Sequence, residues 1–182
     1  MEKIRGFEIA KGFEDKGINL PERKTKYSAG YDIEAAEDTI IPVFKPGQKP
    51  TLIKTGLKAY CAPDEYYMLC NRSSNPGKKG LVMANSVGII DSDYYENPDN
   101  DGHFMFAYYN FFDHDVEIKK GEVIGQAIFM KYLTVDNDNA EGERTGGFGS
   151  TNKWPFWGRG QKRSCDPWRD RLMRLGNEKI IS

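Results

Sequence analysis

Before residue 153, short runs of β-branched and aromatic residues alternate with Gly, Pro, Asn and Asp. Runs of this length favour strands, and the residues between them favour turns because they supply the backbone conformations that tight turns require. Clear turns are expected at 45–47, 62–64 and 119–121. Many short strands joined by tight turns are typical of a sandwich or barrel. The sequence therefore predicts an all-β domain.

Strong helix signals are scarce in the same part of the chain, where only residues 78–84 are expected to hold a helical turn. With 182 residues, the chain is long enough for one domain with a real core and too short for two ordinary ones. Eleven strands are predicted, at residues 3–10, 30–35, 39–43, 48–54, 57–59, 65–71, 81–85, 88–90, 104–111, 116–118 and 123–132.

The distribution of charge divides the chain into three segments. Residues 153–182 carry 8 Lys/Arg and 3 Asp/Glu together with all three tryptophans, whereas the rest carries 18 basic and 24 acidic residues. Residues 134–144 are rich in Asp, Asn and Glu, which is typical of a mobile linker. We therefore expect a β-barrel core at 1–133, a mobile arm at 134–152 and a basic tail over the remainder.

The composition also limits the partners and the compartment. A formal net charge of −1 with an acidic body gives no strong field for nucleic acid or for a membrane surface. The three cysteines form no Cys-x-x-Cys pair and have no His at ligand spacing, which argues against structural zinc and a disulfide framework. No signal peptide or membrane span is recognisable. We expect a cytoplasmic protein whose core binds neither membrane nor nucleic acid.

The tail has the features of a short helix. Pro167 suits the first helical position, and Gly176 suits the C-terminal end. Trp168, Leu172 and Leu175 are spaced so that they share one apolar face of an otherwise charged segment. This shared face favours a helix that binds a protein partner. A basic arm for nucleic acid and a disordered extension without function remain alternatives.

Five short motifs before the tail carry the functional information. The third and fifth are long and specific, whereas a lone Arg-Ser-Ser is usually only a turn and a glycine-rich run on its own is more often a flexible linker. The glycine-rich run is not a P-loop, because no Gly-Lys-Ser/Thr follows it. The motifs are AGYDIEA at 29–35, RSS at 72–74, NSVGIIDSDY at 85–94, GEVIGQ at 121–126 and RTGGFGST at 144–151.

The order and spacing of these motifs resemble those of the trimeric dUTP diphosphatase (dUTPase) family, including its Gram-positive and phage members. The resemblance covers residues 29–151. It implies a jelly-roll-like, distorted β-barrel that assembles into a homotrimer with its sites between subunits. It also implies Mg²⁺-dependent hydrolysis of dUTP to dUMP and pyrophosphate, which limits uracil incorporation into DNA and supplies dUMP for dTMP synthesis.

The third motif is expected to hold the nucleoside and the reacting water. A tight hairpin at Gly88 leaves backbone groups free to pair with the edge of a base. By resemblance, Asn85, Gly88 and Ile90 contact the nucleoside, and Tyr94 packs against the deoxyribose and leaves no room for a 2′-hydroxyl. By the same resemblance, Asp91 matches the catalytic base of the family. A carboxylate within hydrogen-bond reach of a water molecule can deprotonate that water for attack on the α-phosphorus.

The second and fourth motifs are expected to bind the phosphates. Arg72 offers a planar fork of donors to phosphate oxygens, and Ser73 and Ser74 add short donors. The resemblance assigns Gln126 to the α-phosphate region. Asp32 is expected to pair with Arg72 or to hold, through water, a Mg²⁺ ion that is bound mainly by the phosphates.

The fifth motif follows the mobile linker and is expected to close over the nucleotide in a neighbouring subunit's site. Its glycines let the backbone approach a ligand closely, and Phe148 can stack on a base. By resemblance, Arg144, Ser150 and Thr151 reach the terminal phosphates. The motif has one residue fewer between Arg144 and Gly146 than the commoner form of the family.

Three further features depart from the family pattern. Asn71 stands where many relatives have Pro, and we expect it to weaken the turn before Arg72 without changing the phosphate contacts. A longer loop follows Tyr94, at 95–103. About thirty residues follow the fifth motif, which usually ends the chain.

Two alternative functions stay open. A dCTP deaminase shares the fold and the Arg-Ser-Ser region, but such enzymes typically have Pro-Gly after the aspartate of the third motif, where this chain has Ser92-Asp93-Tyr94. They also need a catalytic glutamate, for which Glu96 is the only close candidate. The second alternative is a regulatory protein that binds other proteins in a nucleotide-dependent manner, in addition to catalysis.

Overall fold

The computed structural model describes residues 3–142 and residue 144, all within a unit that extends from Met1 to Thr151. This part of the chain contains eleven strands, one short α-helix, α1 (Asn75–Lys79), and two 3₁₀ turns at Glu14–Lys16 and Ser92–Tyr94. The strands are β1 (Gly6–Ile9), β2 (Tyr31–Glu34), β3 (Thr39–Ile41), β4 (Thr51–Lys54), β5 (Leu57–Tyr60), β6 (Glu65–Asn71), β7 (Leu81–Met83), β8 (Gly88–Asp91), β9 (Met105–Asn110), β10 (Val116–Ile118) and β11 (Val123–Lys131).

The largest sheet has the strand order β2-β11-β6-β8, and its ladders are antiparallel. A three-stranded sheet, β4-β9-β7, and the two pairs β1-β5 and β3-β10 complete the arrangement. β2, β8 and β11 contain residues of the first, third and fourth motifs, and β6 leads directly into the second. One sheet therefore carries or adjoins four of the five motifs.

The alternation along β6 shows how the core is built. Glu65, Tyr67 and Leu69 are buried, while the residues between them are partly exposed. Successive side chains of a strand point to opposite faces, so one face of this sheet packs into the core and the other stays accessible. The largest fully buried side chains are Ile33, Ile41, Ile53, Leu57, Tyr67, Leu69, Leu81, Phe104, Phe106, Tyr108, Ile118 and Ile124.

Gly125 determines how closely β11 packs on the core. A Cβ atom at this position would lie 2.2 Å from the Phe106 ring and 3.0 Å from the carbonyl oxygen of Cys70. Only a residue without a Cβ atom fits this approach. The close packing of β11 sets the position of the next residue, Gln126.

Each of the eleven predicted strands overlaps an observed one, although their ends differ; the first strand begins at Gly6, three residues later than predicted. The prediction of a helical turn at 78–84 was wrong. Helix α1 ends at Lys79, because Gly80 adopts a left-handed conformation with a φ of 64°, and Leu81–Met83 form a strand. Within the described part of the chain, no helix is long and apolar enough to cross a membrane.

Candidate active site

A cavity of about 230 Å³ lies beside β8. Its wall combines core side chains such as Leu69, Met83 and Phe104 with a few polar groups, which is typical of a small-molecule site. The structure therefore brings the nucleoside-binding residues predicted from the third motif and the predicted catalytic aspartate together. The residues from the functional motifs that line the cavity are Asn85, Gly88, Ile89, Ile90, Asp91, Tyr94 and Arg144.

Among the residues that the structure describes, β8 pairs with β6 alone and therefore forms an edge of the sheet. An edge strand presents unpaired backbone donors and acceptors, which can pair with a ligand. The predicted hairpin, however, was wrong: β7 pairs with β9 in the other sheet, where the adjoining Ala84 N–H donates to the carbonyl of Ala107 at 2.9 Å. Residues 84–87 instead cross from one sheet to the other, with Ser86 at a φ of 61°.

Tyr94 is only 5% exposed and lines the cavity. Its hydroxyl donates to the carbonyl oxygen of His103 at 3.3 Å and accepts a hydrogen bond from Nδ2 of Asn100 at 2.7 Å. Burial raises the pKa of the Tyr94 hydroxyl, so the group stays protonated and able to donate. These contacts hold the phenol in one position in the cavity wall.

Arg144 joins the two carboxylates at the end of the third motif. Its Nε donates to Oδ1 of Asp93 at 2.6 Å, and its Nη2 donates to Oδ2 of Asp91. The guanidinium carbon lies 6.0 Å from the centre of the Tyr94 ring. In this state the arginine of the arm is bound to the predicted catalytic base of its own chain, and its contact with terminal phosphates stays a prediction.

His103, whose carbonyl binds Tyr94, has a buried and neutral imidazole. His103 is 8% exposed. Its Nε2 accepts a hydrogen bond from the backbone N–H of Gly56 at 3.0 Å, and its ring packs against Phe13. Burial, with a smaller contribution from the positive charge of Lys54, lowers the pKa of His103 to about 4. A protonated ring could not accept the Gly56 hydrogen bond at Nε2, so the neutral form belongs to the folded state.

Because the pKa of His103 is lowered in the folded chain, we expect the free energy of unfolding to depend on pH. The unfolded chain protonates His103 near pH 6.5, whereas the folded chain does so near pH 4. Its contribution to stability is therefore fully present above pH 6.5, and it decreases as the pH falls to 4, by up to about 3 kcal/mol. We expect the free energy of unfolding, measured with urea, to decrease less between pH 7.5 and pH 4.5 in His103→Gln than in the wild type. The same pH dependence in both proteins would contradict this assignment.

The Gln126 side chain lies among residues of the first motif and Asn71, the residue directly before the second motif. Gln126 pairs with Asp32 of β2 in register, and its Nε2 is 3.5 Å from the carbonyl oxygen of Asn71. A Cβ atom at Gly30 would lie 2.1 Å from Oε1 of Gln126, so glycine at that position makes room for the amide. The first motif, the fourth motif and the residue before the second motif, which are far apart in sequence, thus meet around one amide group.

The Arg-Ser-Ser motif forms the turn between β6 and α1. Arg72 and Ser74 are half-buried and Ser73 is exposed. The N–H of Asn75 donates to the Arg72 carbonyl at 3.1 Å, which closes the turn. Burial, followed by repulsion from the Arg72 guanidinium, lowers the pKa of Lys79. The ammonium of Lys79 also forms an ion pair with the carboxylate of Glu122.

Asn71 does more than the sequence indicated. Its Nδ2 donates to the carbonyl of Leu81 at 3.0 Å, and its Oδ1 accepts hydrogen bonds from Asn75 at 2.8 Å and Tyr108 at 3.0 Å. A proline could form none of these side-chain bonds. The asparagine that we expected to weaken the turn instead ties it to α1, β7 and β9.

Asp32 lies next to Gln126 but also lines a separate surface cavity of about 380 Å³ with Glu22, Lys24 and Glu34, rather than pairing with Arg72. No group of three or more His, Cys, Asp and Glu side chains in the described residues could hold a metal ion. A single carboxylate beside the amide of Gln126 fits a cation that is held mainly by the phosphates of a ligand.

The residues around Gln126 and the cavity beside Asp91 occupy different parts of the sheet. Gln126 pairs with Cys70 and Asp91 pairs with Tyr66, on opposite sides of β6. Cys70 and Tyr66 are four residues apart along β6, and β11 and β8 are two strand spacings apart. The Cα atoms of Gln126 and Asp91 are therefore roughly 16 Å apart. The amide of Gln126 lies at Asn71, one residue further from Tyr66. One copy of the chain therefore does not gather both groups around a single ligand atom.

The comparisons with known proteins agree with this arrangement. A family model described as dUTPase matches residues 16–152. The chain belongs to the dUTPase family. A deoxyuridine 5′-triphosphate nucleotidohydrolase of Lactococcus lactis is 54% identical over 151 residues, which are 82% of this chain and 98% of that protein. A crystal structure of dUTPase from Streptococcus mutans superposes with a TM-score of 0.67 at 44% identity and covers 72% of this chain and 99% of that one.

A third comparison concerns the fold alone. The dUTPase from phage phi11 of Staphylococcus aureus is 19% identical, with a TM-score of 0.61, and covers 77% of this chain and 97% of that one. Membership of the dUTPase family confirms the resemblance found in the motifs, the all-β, jelly-roll-like fold and the prediction that the chain is a dUTP diphosphatase-type enzyme.

Some predictions stay untested. Phe148, Ser150, Thr151 and the tail at 153–182 lie outside the described residues, so their roles remain predictions, as does the division of the chain at residues 133 and 152. The contact between Asn100 and Tyr94 was missed, because the Asn- and Asp-rich sequence after Tyr94 indicated only a longer loop.

Proposed function

We propose that this member of the dUTPase family hydrolyses dUTP to dUMP and pyrophosphate by direct attack of water on the α-phosphorus. The observation that carries the proposal is the cavity beside β8, where a free strand edge and an aromatic wall lie next to a half-exposed carboxylate, Asp91. The similarity to the deoxyuridine 5′-triphosphate nucleotidohydrolase of Lactococcus lactis supports the choice of nucleotide.

The nucleoside binds in this cavity. The unpaired edge of β8 offers backbone donors and acceptors to the edge of uracil, with Asn85 adding an exposed side-chain amide at the same cavity. A Cβ atom at Gly88 would lie 3.1 Å from Cβ of Leu69, so a larger residue would fit only if Leu69 shifted slightly. Ile90 supplies an apolar contact. The fixed ring of Tyr94 packs against the deoxyribose and excludes a 2′-hydroxyl.

The chemistry needs one positioned carboxylate. Asp91 accepts a proton from a water molecule whose oxygen attacks the α-phosphorus. A bond forms between that oxygen and phosphorus, and the bond from phosphorus to the bridging oxygen breaks. Pyrophosphate leaves with the bridging oxygen, and dUMP keeps the oxygen of the water. No covalent enzyme intermediate is required.

Arg144 moves from the carboxylates to the phosphates when the nucleotide binds. Its planar fork matches carboxylate and phosphate oxygens equally well. The segment that leads to it from the core has exposed apolar side chains, with Leu133 97% and Val135 77% exposed. Few contacts oppose its movement, which supports this exchange.

Arg72, Ser73, Ser74 and Gln126 bind the phosphate chain in the proposed reaction. Mg²⁺ would be bound mainly by the triphosphate, and Asp32 would hold it through water. When bound, the ion neutralises phosphate charge and so favours departure of pyrophosphate. The single carboxylate beside Gln126 supports this arrangement.

The active site is shared between copies of a homotrimer. The roughly 16 Å between Gln126 and Asp91 in one chain supports this proposal, since both groups have to act on the same α-phosphate. Ile89 and Met130 lie on the accessible face of the same sheet and are 53% and 39% exposed. A second copy that covers this face would bury apolar surface and bring its own phosphate-binding residues to the first copy's cavity.

A pyrophosphate-release assay across dUTP, dCTP, UTP and dTTP, with and without Mg²⁺, tests the proposed function. We expect release from dUTP in the presence of Mg²⁺, with kcat/KM at least about 100-fold higher than for the other nucleotides, because polar groups matched to uracil are left unpaired by a wrong base. Release of ammonia from dCTP would favour the deaminase instead. Equal activity on all four nucleotides would contradict the proposed base and sugar recognition.

A further inference from the structure

We propose that Asn100 is a positioning residue that fixes the Tyr94 ring and thereby sets the discrimination between deoxyribonucleotides and ribonucleotides. The proposal rests on the proposed function, in which Tyr94 faces the sugar. It concerns the loop at 95–103, which is longer than is usual in the family.

Asn100 holds the phenol directly. Its Nδ2 donates to the Tyr94 hydroxyl at 2.7 Å and to the His103 carbonyl at 3.1 Å, while the hydroxyl donates to the same carbonyl at 3.3 Å. A buried hydroxyl needs hydrogen-bond partners, and the shorter of its two bonds comes from Asn100. Loss of this amide leaves the phenol with one long bond and more freedom about its side-chain torsions.

Asn100, which is half-buried, is itself fixed by the buried amide of Asn97, which is 5% exposed. Oδ1 of Asn100 accepts hydrogen bonds from Nδ2 of Asn97 at 2.9 Å and from the N–H of Gly102 at 3.2 Å. Nδ2 of Asn97 also donates to the backbone carbonyl of Tyr94 at 2.8 Å. The two amides therefore hold Tyr94 at both ends, through its phenol and through its main chain.

The loop is anchored in an unusual backbone conformation. Glu96, Asp101 and Gly102 have φ values of 54°, 61° and 80°, and such angles persist in non-glycine residues only where surrounding contacts enforce them. The ammonium of Lys58, a residue that is 8% exposed, lies 3.0 Å from Glu96 and 3.1 Å from Asp101. A Cβ atom at Gly102 would lie 2.9 Å from the carbonyl oxygen of Tyr94. The loop thus forms a rigid support for Tyr94.

A fixed ring affects the two sugars differently. dUTP fits against the ring in its present position, whereas UTP needs the ring to move away from the 2′-hydroxyl. Releasing the phenol therefore helps UTP more than dUTP. Asn100→Ala loses one net hydrogen bond to the phenol. We therefore expect the preference for dUTP over UTP to fall roughly five- to tenfold, both in binding affinity and in kcat/KM.

The test compares the wild type, Asn100→Ala, Tyr94→Phe and the double variant. Calorimetry with the non-hydrolysable α,β-imido analogues of dUTP and UTP measures affinity, and pyrophosphate release measures kcat/KM for dUTP and UTP. Asn100→Ala is expected to lower the dUTP/UTP ratio in the wild-type background but to change it less than about twofold in the Tyr94→Phe background, where the amide has no phenol to hold. Asp99→Ala, an exposed side chain in the same loop, is the matched control and is expected to leave the ratio unchanged.

Three results would overturn the role of Asn100. They are an unchanged ratio in Asn100→Ala, an equal fall in both Tyr94 backgrounds, and an equal fall in the Asp99→Ala control. Thermal unfolding shows whether each variant is folded before its ratio is measured. If the wild type binds both analogues but hydrolyses neither nucleotide, the proposed catalysis fails, while the ratio of affinities still decides the role of Asn100.

Discussion

Replacing Asp91 by Asn is expected to lower the turnover of dUTP by roughly 10²- to 10⁴-fold, because an amide of the same shape cannot accept a proton from the attacking water. Folding and dUTP binding should stay close to those of the wild type. The Asp91 side chain is 52% exposed, so loss of its ion pair with Arg144 is expected to cost little stability. Pyrophosphate release gives the turnover, calorimetry gives the affinity, and thermal unfolding gives the stability.

The neighbouring carboxylate is the matched control for this variant. Asp93 is 54% exposed and binds the same guanidinium as Asp91, so Asp93→Asn removes a similar charge from the same place. If Asp91 is the catalytic base, Asp93→Asn loses far less turnover. Similar losses in both variants would indicate that their effect comes from releasing Arg144. Near-normal pyrophosphate release by Asp91→Asn would disprove the catalytic assignment.

Mixing two inactive variants is expected to restore activity. In the proposed trimer, one copy contributes Asp91 and another contributes Arg72 and Gln126. A mixture of Asp91→Asn and Arg72→Ala chains then assembles some sites from the two intact halves. If equal amounts assemble at random, each site receives an intact Asp91 in about half of the cases and an intact Arg72 in about half. About a quarter of the sites then contain both groups, so about a quarter of the wild-type activity is expected. The variants are unfolded together, refolded and assayed for pyrophosphate release.

A second mixture serves as the control. Arg72 and Gln126 belong to the same half-site, so an equal mixture of Arg72→Ala and Gln126→Ala provides no copy with both groups intact and is expected to stay inactive. Native mass spectrometry establishes that mixed oligomers have formed. If they form and the Asp91→Asn and Arg72→Ala mixture recovers nothing, the site does not lie between copies.

The predicted residues of the third motif illustrate how far local information reaches. Asn85, Gly88, Ile90, Asp91 and Tyr94 are close in sequence and line one cavity, as the motif indicated. The hairpin assigned to the same segment was wrong, because the choice between two sheets depends on strands that are distant in sequence. The turn at residues 84–87 is compatible locally with either arrangement.

The contacts of Asn71 and Asn100 show what local information does not contain. Each side chain has ordinary turn-forming properties, and the sequence indicated only a weakened turn in one case and a longer loop in the other. Their hydrogen bonds to Tyr108 and Tyr94 form only after β9 and the loop at 95–103 have packed. An amide finds its partners through the tertiary structure, so the sequence could not assign these roles.

The sequence alone determined the all-β fold, the approximate positions of the eleven strands in the described part of the chain, and the family that the chain resembles. These properties follow from alternation, turn residues and motif spacing, all of which are readable along the chain. Tertiary structure alone decided that Gln126 and Asp91 lie roughly 16 Å apart on one sheet and that Arg144 binds Asp91. The physical reason is that strand pairing and ion pairing join residues that are distant in sequence, and their register is set by packing of the whole core.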